Sequence, residues 1–334
     1  MNTIVNHLRT KIFISLLLLI FVVVFIMSCD LSFNPGGPNN PLLMESYVHW
    51  NKLDTPYDII NSLNFILIIS PQNGFIVGSD GLILKSNDYG ESWFQQESKT
   101  TNHLFSFSNS DYYLIVGEEG TILRSTDKGK NWTSITSATD KNLNSITLWG
   151  NFGYIVGDEG LILFSNDSGL TWEDASPGIN EDLLFAHIYN GPFDCIVVGE
   201  NGTILRTKYF SKNWQILENN TNNSLRSVHF VFKTTGYIVG DNGTILKTTD
   251  EGETWIEQTS NTTENLNSIF FLVGFYEVGY AVGDNGIILK TMNGGKSWSK
   301  EDSGTKNKLN SVYFFSKNLG WSVGEKGTIL IGKK

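Results

Sequence analysis

The sequence predicts an all-β chain folded as a single seven-bladed β-propeller, with four-stranded antiparallel blades and an N-terminal strand closing the last one. Three observations carry the prediction. The motif Val-Gly-x-x-Gly-x-Ile-Leu occurs seven times, with its Val at 77, 116, 156, 198, 239, 282 and 323. The steps run from 39 to 43 residues, close to the period of about 40–45 residues of one blade. A Trp stands at one place in each unit, at 50, 93, 132, 172, 214, 255 and 298. Trp50 precedes the first full unit, whereas the last unit stops at Leu330-Ile331-Gly332 with no Trp after it.

Each unit reads as four strands. Strand A opens with Leu and a polar residue, as in Leu143-Asn144-Ser145-Ile146. Strand B is Gly-aromatic-x-Val-Gly in five units, as in Gly74 to Gly78. The next turn is Gly-x-x-Gly in all seven, for example Gly240-Asp241-Asn242-Gly243. Asn-Gly and Asp-Gly supply positive φ angles, so a two-residue hairpin is expected there. Strand C alternates and is rich in β-branched residues. A second turn leads to the Trp that opens strand D, a ring suited to packing between neighbouring sheets. Trp50 to Thr55 (WNKLDT) matches Trp255 to Ser260 and Trp298 to Ser303, so the first strand supplies the fourth strand of the last unit. An open array would leave unpaired edges at both ends, and closure removes them.

The turns between strands C and D read SNDYGESW (Ser86 to Trp93), STDKGKNW (Ser125 to Trp132), SNDSGLTW (Ser165 to Trp172) and TTDEGETW (Thr248 to Trp255). TMNGGKSW (Thr291 to Trp298) keeps the pattern with Asn293 in place of Asp, while Thr207 to Trp214 has lost both Asp and Gly. A structural role is expected for Asp88, Asp127, Asp167, Asp250 and Asn293, whose side chains accept turn N–H bonds. The pattern resembles the Asp-box of sialidases and other propellers. The longer stretches Gly236 to Trp255 and Gly279 to Trp298 resemble the repeats of the Ycf48/Hcf136-type proteins, seven-bladed photosystem II assembly factors. The resemblance covers about residues 44–334. It implies a non-enzymatic binding or assembly scaffold, and lipid anchoring, since cyanobacterial members are lipoproteins. Those factors present an Arg-rich surface to their partner, whereas only Arg124, Arg206 and Arg226 lie beyond residue 28 here. The fold and the scaffold class carry over on this basis, and the photosystem partner does not.

Residues 1–28 read as a lipoprotein signal peptide. Arg9 and Lys11 precede an apolar run of 16, residues 12–27, broken only by Ser15. A bilayer-spanning helix needs about 20 such residues, so a secretory signal fits better. Ile26-Met27-Ser28-Cys29 resembles the bacterial lipobox, which implies lipidation at Cys29; an uncleaved anchor is the alternative. Residues 29–43 hold Pro35, Pro38 and Pro41 among Gly and Asn and read as a flexible tether. Residues 44–334 form the propeller. The expected location is the bacterial cell envelope, lipid-anchored.

The formal charge is −10 over 334 residues; residues 1–28 carry two bases and no acids, which leaves −12 beyond them. So acidic a chain repels phosphate backbones, and nucleic acid is not an expected partner. A three-Arg sialidase clamp cannot be built from Arg124, Arg206 and Arg226, because the first two share the strand-C position of Lys85, Lys247 and Lys290. Two-carboxylate glycoside hydrolysis is harder to exclude, but no acid departs from the repeat. None of His7, His49, His103, His187 and His229 forms a pair with metal-ligand spacing. No catalytic residue, metal or cofactor is expected, and Cys195 reads as a small core residue.

Two surfaces remain as candidates. The turns between strands B and C give every unit a carboxylate, at Asp80, Glu118, Asp158, Glu200, Asp241, Asp284 and Glu325. They are hairpin residues first, and also a negative rim for a basic peptide or other protein partner. The starts of strand A place Asn64, Asn144, Arg226, Asn267 and Asn310 at the channel mouth, as ligand contacts or strand caps. The reading is a monomeric, protein-binding envelope lipoprotein whose partner is a membrane complex or a basic peptide. A carbohydrate-binding or glycosidase-like propeller is the alternative.

Overall fold

The computed structural model describes residues 48–54, 59–191, 194–209 and 211–334. The signal, the tether and Cys29 lie outside the described residues. From Val48 onward the chain is built from seven four-stranded antiparallel sheets. Blade 1 runs Leu63–Ser70, Asn73–Gly78, Ile83–Ser86 and Phe94–Gln96 from centre to rim, and the order repeats in blades 2 to 6. Blade 7 takes Leu309–Ser316, Leu319–Gly324 and Ile329–Lys333 from the C-terminus and His49–Lys52 from the N-terminus. The register sets His49 opposite Lys333 and Lys52 opposite Leu330. The predicted closure is therefore present. Its reason is local: Trp50 meets Tyr280 of blade 6 and Phe314 of blade 7 edge-on, at 6.1 and 5.7 Å between centroids.

The sheets pack through alternation. Strand B is buried along nearly its whole length in every blade, because neighbouring sheets cover both faces. The strand-D Trp makes the junction. Trp93 of blade 1 clusters with Trp321, Val323 and Ile331 of blade 7. Trp132 of blade 2 meets Phe75 of blade 1 at 6.2 Å. Trp214 of blade 4 meets Tyr154 of blade 3 at 5.2 Å. Trp172 and Trp214 are only half-buried; the second follows the degenerate turn and donates to the Ala175 carbonyl at 3.0 Å.

The Gly-x-x-Gly turn bears out the positive φ angles expected of its Asn-Gly dipeptide: they fall on Asn242 (53°) and Gly243 (70°), and the Thr244 N–H closes the turn on Asp241 O at 3.0 Å. The structure adds a bulge of one residue before it. The Gly240 N–H also donates to Thr244 O at 3.0 Å, while the Asp241 N–H leaves the ladder for Ser224 O at 2.9 Å, in the connection that enters the blade. A Cβ on Gly243 would stand 2.1 Å from Thr262 O, so this Gly is demanded by both dihedral and space.

The Asp-box turns bond as their residue types imply. Asp127 accepts from the backbone N–H of Lys130 at 3.0 Å and Asn131 at 2.9 Å, and the Ser125 hydroxyl donates to it at 2.8 Å. The backbone N–H of Asn131 leads the hydrogen bonds that hold this carboxyl far below the usual carboxylate range. At Asp88, Asp167 and Asp250 burial opposes ionisation, and bonds from Ser92, Thr171 and Thr254 outweigh it. Asn293 reproduces the geometry through Oδ1, accepting from the Ser297 N–H at 3.0 Å. Asp127→Ala should therefore cost about 1–2 kcal/mol of stability and lower Tm by several degrees, while Asp127→Asn costs little. Equal losses in thermal melts would refute the role given to the acceptor.

Candidate partner-binding face

Two faces follow from the turns. Connections from strand A to B pair with Asp-box turns, as Glu251 N–H donates to Thr234 O at 3.1 Å. Strand B–C turns and D–A connections share the other face, where Asn61 Nδ2 donates to Asp80 at 2.8 Å.

On that second face the innermost strands form a ring around a small mouth of about 130 Å³. Asn64, Asn144, Arg226, Asn267 and Asn310 all line it. The structure gives the Asn amides a definite task, because each staples its blade to the next. Asn64 Nδ2 donates to Leu104 O at 2.8 Å, Asn144 to Leu183 O at 3.0 Å, Asn267 to Leu309 O at 2.9 Å and Asn310 to Leu63 O at 3.0 Å. The last of these crosses the closure between blades 7 and 1. One residue further on, Ser145 Oγ accepts from Ala186 N–H at 3.3 Å and Ser311 Oγ from Ile66 N–H at 3.4 Å. Strand A thus has a stapling consensus, Leu-Asn-Ser, with a reason for both polar residues.

The rim carboxylates are partly spent on this frame. Asp158 accepts from Asn142 and Asn144, both at 2.9 Å. Asp284 accepts from Asn265 and Asn267, both at 3.1 Å, and lies 3.7 Å from Lys308. Asp241 pairs with Arg226, so the guanidinium at the mouth is neutralised. Asp80 takes the Asn61 amide, and Glu118 accepts from the backbone N–H of His103 at 3.1 Å. Glu200 and Glu325 enter through their backbone N–H groups, bonded to Asp182 O and Lys308 O, both at 2.9 Å.

The residues that sequence reasoning missed are Phe65, Phe105, Leu184 and Phe185. They line the mouth with the Asn residues and stay half-exposed. Each stands where the consensus requires Asn or Ser, so each replaces a staple with apolar surface. The departure from Leu-Asn-Ser in blades 1, 2 and 4 was the available signal. Broader grooves of about 600 Å³ along Gln95 to Thr101 and about 420 Å³ along Glu257 to Thr262 repeat one loop in two blades, and so mark no single site.

Deeper in the channel, successive strands A place His187, His229, Phe270 and Tyr313 side by side, at 5.5, 4.9 and 5.0 Å between centroids. Burial holds the His187 imidazole down to about 4. Burial, then the neighbouring His187, holds His229 down to about 3. Among the described residues no group of three or more His, Cys, Asp or Glu is placed to hold a metal ion. The strand-C cations turn towards the Asp-box face and serve packing. Arg124 lies 4.0 Å over the Tyr112 ring, and Lys247 Nζ donates to Gly294 O of the next blade at 2.7 Å. Cys195 is buried, which pushes its thiol well above the ordinary range.

A seven-bladed propeller with Asp-box turns and a polar and apolar mouth defines a class of repeat scaffolds. This chain belongs to the family described as photosynthesis system II assembly factor YCF48, whose pattern matches residues 42–139, 103–183 and 206–306. No curated protein matches the sequence. Among solved structures, YCF48 from Cyanidioschyzon merolae superposes with a TM-score of 0.70 at 19% identity, covering 85% of this chain and 98% of that one. A structure of YCF48 bound to D1 peptide gives 0.71 at 19% identity over 91% and 100%. A GH74 xyloglucanase from Xanthomonas campestris gives 0.67 at 12% identity over 84% and 53%. Likeness at these identities shows the fold.

Proposed function

We propose that this protein is a non-enzymatic, lipid-anchored envelope scaffold that captures a segment of a partner protein at the mouth of its acidic face. The observation that carries the reading is that Phe65, Phe105, Leu184 and Phe185 replace staple residues at one opening and nowhere else on strand A's second and third positions save Arg226. A cavity of about 130 Å³ holds one medium apolar side chain. Around it, the Asn amides spend N–H groups on the staples, and the turns outside them give each blade a carboxylate. Such a rim suits a donor-rich, basic segment. A family relative binds a peptide, which agrees with this mode of use. Photosystem chemistry is not needed for it.

The test restores the consensus. Phe105→Asn, Leu184→Asn and Phe185→Ser together rebuild staples, so the melting temperature should hold or rise. Burying one apolar side chain is worth about 1.5–3 kcal/mol, so capture of a partner from the host's solubilised envelope should fall about ten- to a hundred-fold. Undiminished retention of the same protein by the triple variant would overturn the assignment. Release of sugar from a polysaccharide panel by the wild type would favour the glycosidase alternative instead.

A further inference from the structure

The propeller leaves its large apolar side chains on one face. Among the described residues thirteen are exposed. Of these, Ile60 alone lies on the acidic face, and Phe94, Ile216 and Ile256 lie on outer strands. The other nine occupy A–B connections, C–D turns or, for Trp149 and Phe315, the end of strand A beside them. Trp149 is 52% exposed, and Val273 85%. Phe232 of blade 5 touches Tyr276 of blade 6 at 3.8 Å, and Tyr89 of blade 1 reaches Phe315 of blade 7 at 6.1 Å. Lys317 lies 5.2 Å over the Phe275 ring. Exposed aromatics interleaved with Lys are the composition of a membrane–water interface.

The chain joins the propeller on this same face. His49 pairs with Lys333, whose Nζ reaches Glu91 in the Asp-box turn of blade 1. Lys334 N–H donates to Asn318 O in the A–B connection of blade 7 at 3.3 Å. Only residues 28–47 separate this point from the apolar run 12–27. At about 3.3–3.6 Å per residue they span at most ~70 Å. The opposite face carries the carboxylate rim, which anionic lipid repels.

We infer that the face bearing Trp149, Phe232, Val273, Phe275 and Tyr276 rests on the bilayer surface and turns the acidic mouth towards the aqueous side. This deepens the anchored-scaffold reading and rests on it. The partner site is then presented away from the lipid, where a soluble or protruding segment reaches it.

The test uses the full chain reconstituted into vesicles of phosphatidylethanolamine and phosphatidylglycerol, with and without brominated acyl chains. Trp149 is the most exposed Trp, so the emission lost in Trp149→Phe reports on this face. Bromination should quench most of that emission difference. Val273→Asp with Phe275→Asp, both in an exposed turn, should relieve the quenching without moving the thermal melt. Vesicle flotation separates the two ideas. A chain that does not float defeats the anchor itself. A chain that floats with Trp149 unquenched, or with quenching untouched by the Asp pair, overturns the orientation.

Discussion

Deleting residues 44–56 should abolish the cooperative thermal transition. The segment contributes the outer strand of blade 7, with Val48 and Trp50 buried to 2% and 9% exposure. Its removal unpairs the edge of Ile329–Lys333 along the whole register from His49 to Lys52. It also strips the edge-on contacts that Trp50 makes with Tyr280 and Phe314. Truncating a buried Trp alone costs about 3–5 kcal/mol, against a total stability of about 5–15 kcal/mol for an ordinary domain. Trp50→Ala should therefore unfold well below the wild type, and the deletion should leave no sharp transition in calorimetry or circular dichroism. Trp50→Phe should fall between. A truncated chain that melts with the wild type would show that the ring does not depend on its closure.

The second large effect is a loss of stability in weak acid, traced to two imidazoles. His187 and His229 face each other within the channel wall, and both are held neutral, at about 4 and about 3. In the unfolded chain they titrate near 6.5. The unfolded state thus binds more protons as pH falls below about 6.5, and stability declines until the folded values are reached. At pH 5 each ring should cost about 1–2 kcal/mol after allowance for its partial exposure. The rings around them, Phe230, Phe270 and Tyr313, offer no carboxylate to offset the charge. Replacing His187 by Thr and His229 by Phe, the residues of blades 3 and 6 at this position, should flatten the pH profile from 4 to 6.5. The Asp-box carboxyls, held below their ordinary value, lose their contribution only below about pH 3.8. Their arm of the profile should survive the double substitution. An unchanged slope between pH 5 and 6.5 would reject the assignment.

The blades, their strand order and the closure were readable because they rest on local chemistry repeated seven times. Trp50 without a preceding unit said as much as the whole motif count. The turn after strand B was readable in its dihedrals, which fall on Asn242 and Gly243, but not in its bulge, since the bond of the Asp241 N–H to Ser224 O depends on a connection that folds across it. The mouth was half legible. Asn64, Asn144, Asn267 and Asn310 stand out as a ring, but their bonds run to the neighbouring blade's carbonyls, which no single-unit pattern reveals. Phe65, Phe105, Leu184 and Phe185 looked like ordinary strand residues, because an apolar side chain on a strand is unremarkable until its neighbours at that position prove polar. The gathering of apolar surface on one face was invisible for a different reason: it depends on which turns share a side.

The junction between blades 4 and 5 combines two of these features. Leu184 and Phe185 remove both of its staples at the mouth. On the opposite side Arg206, buried at 1% exposure, reaches Glu253 and Glu251 of blade 5, and the Tyr189 hydroxyl donates to Glu251 O at 2.9 Å. The joint is pinned at one end and free at the other, like a door hung on a single edge. Gaping of the aperture to admit a bulky guest will start at this seam, and amide hydrogen exchange in Leu225–Phe230 will register it first.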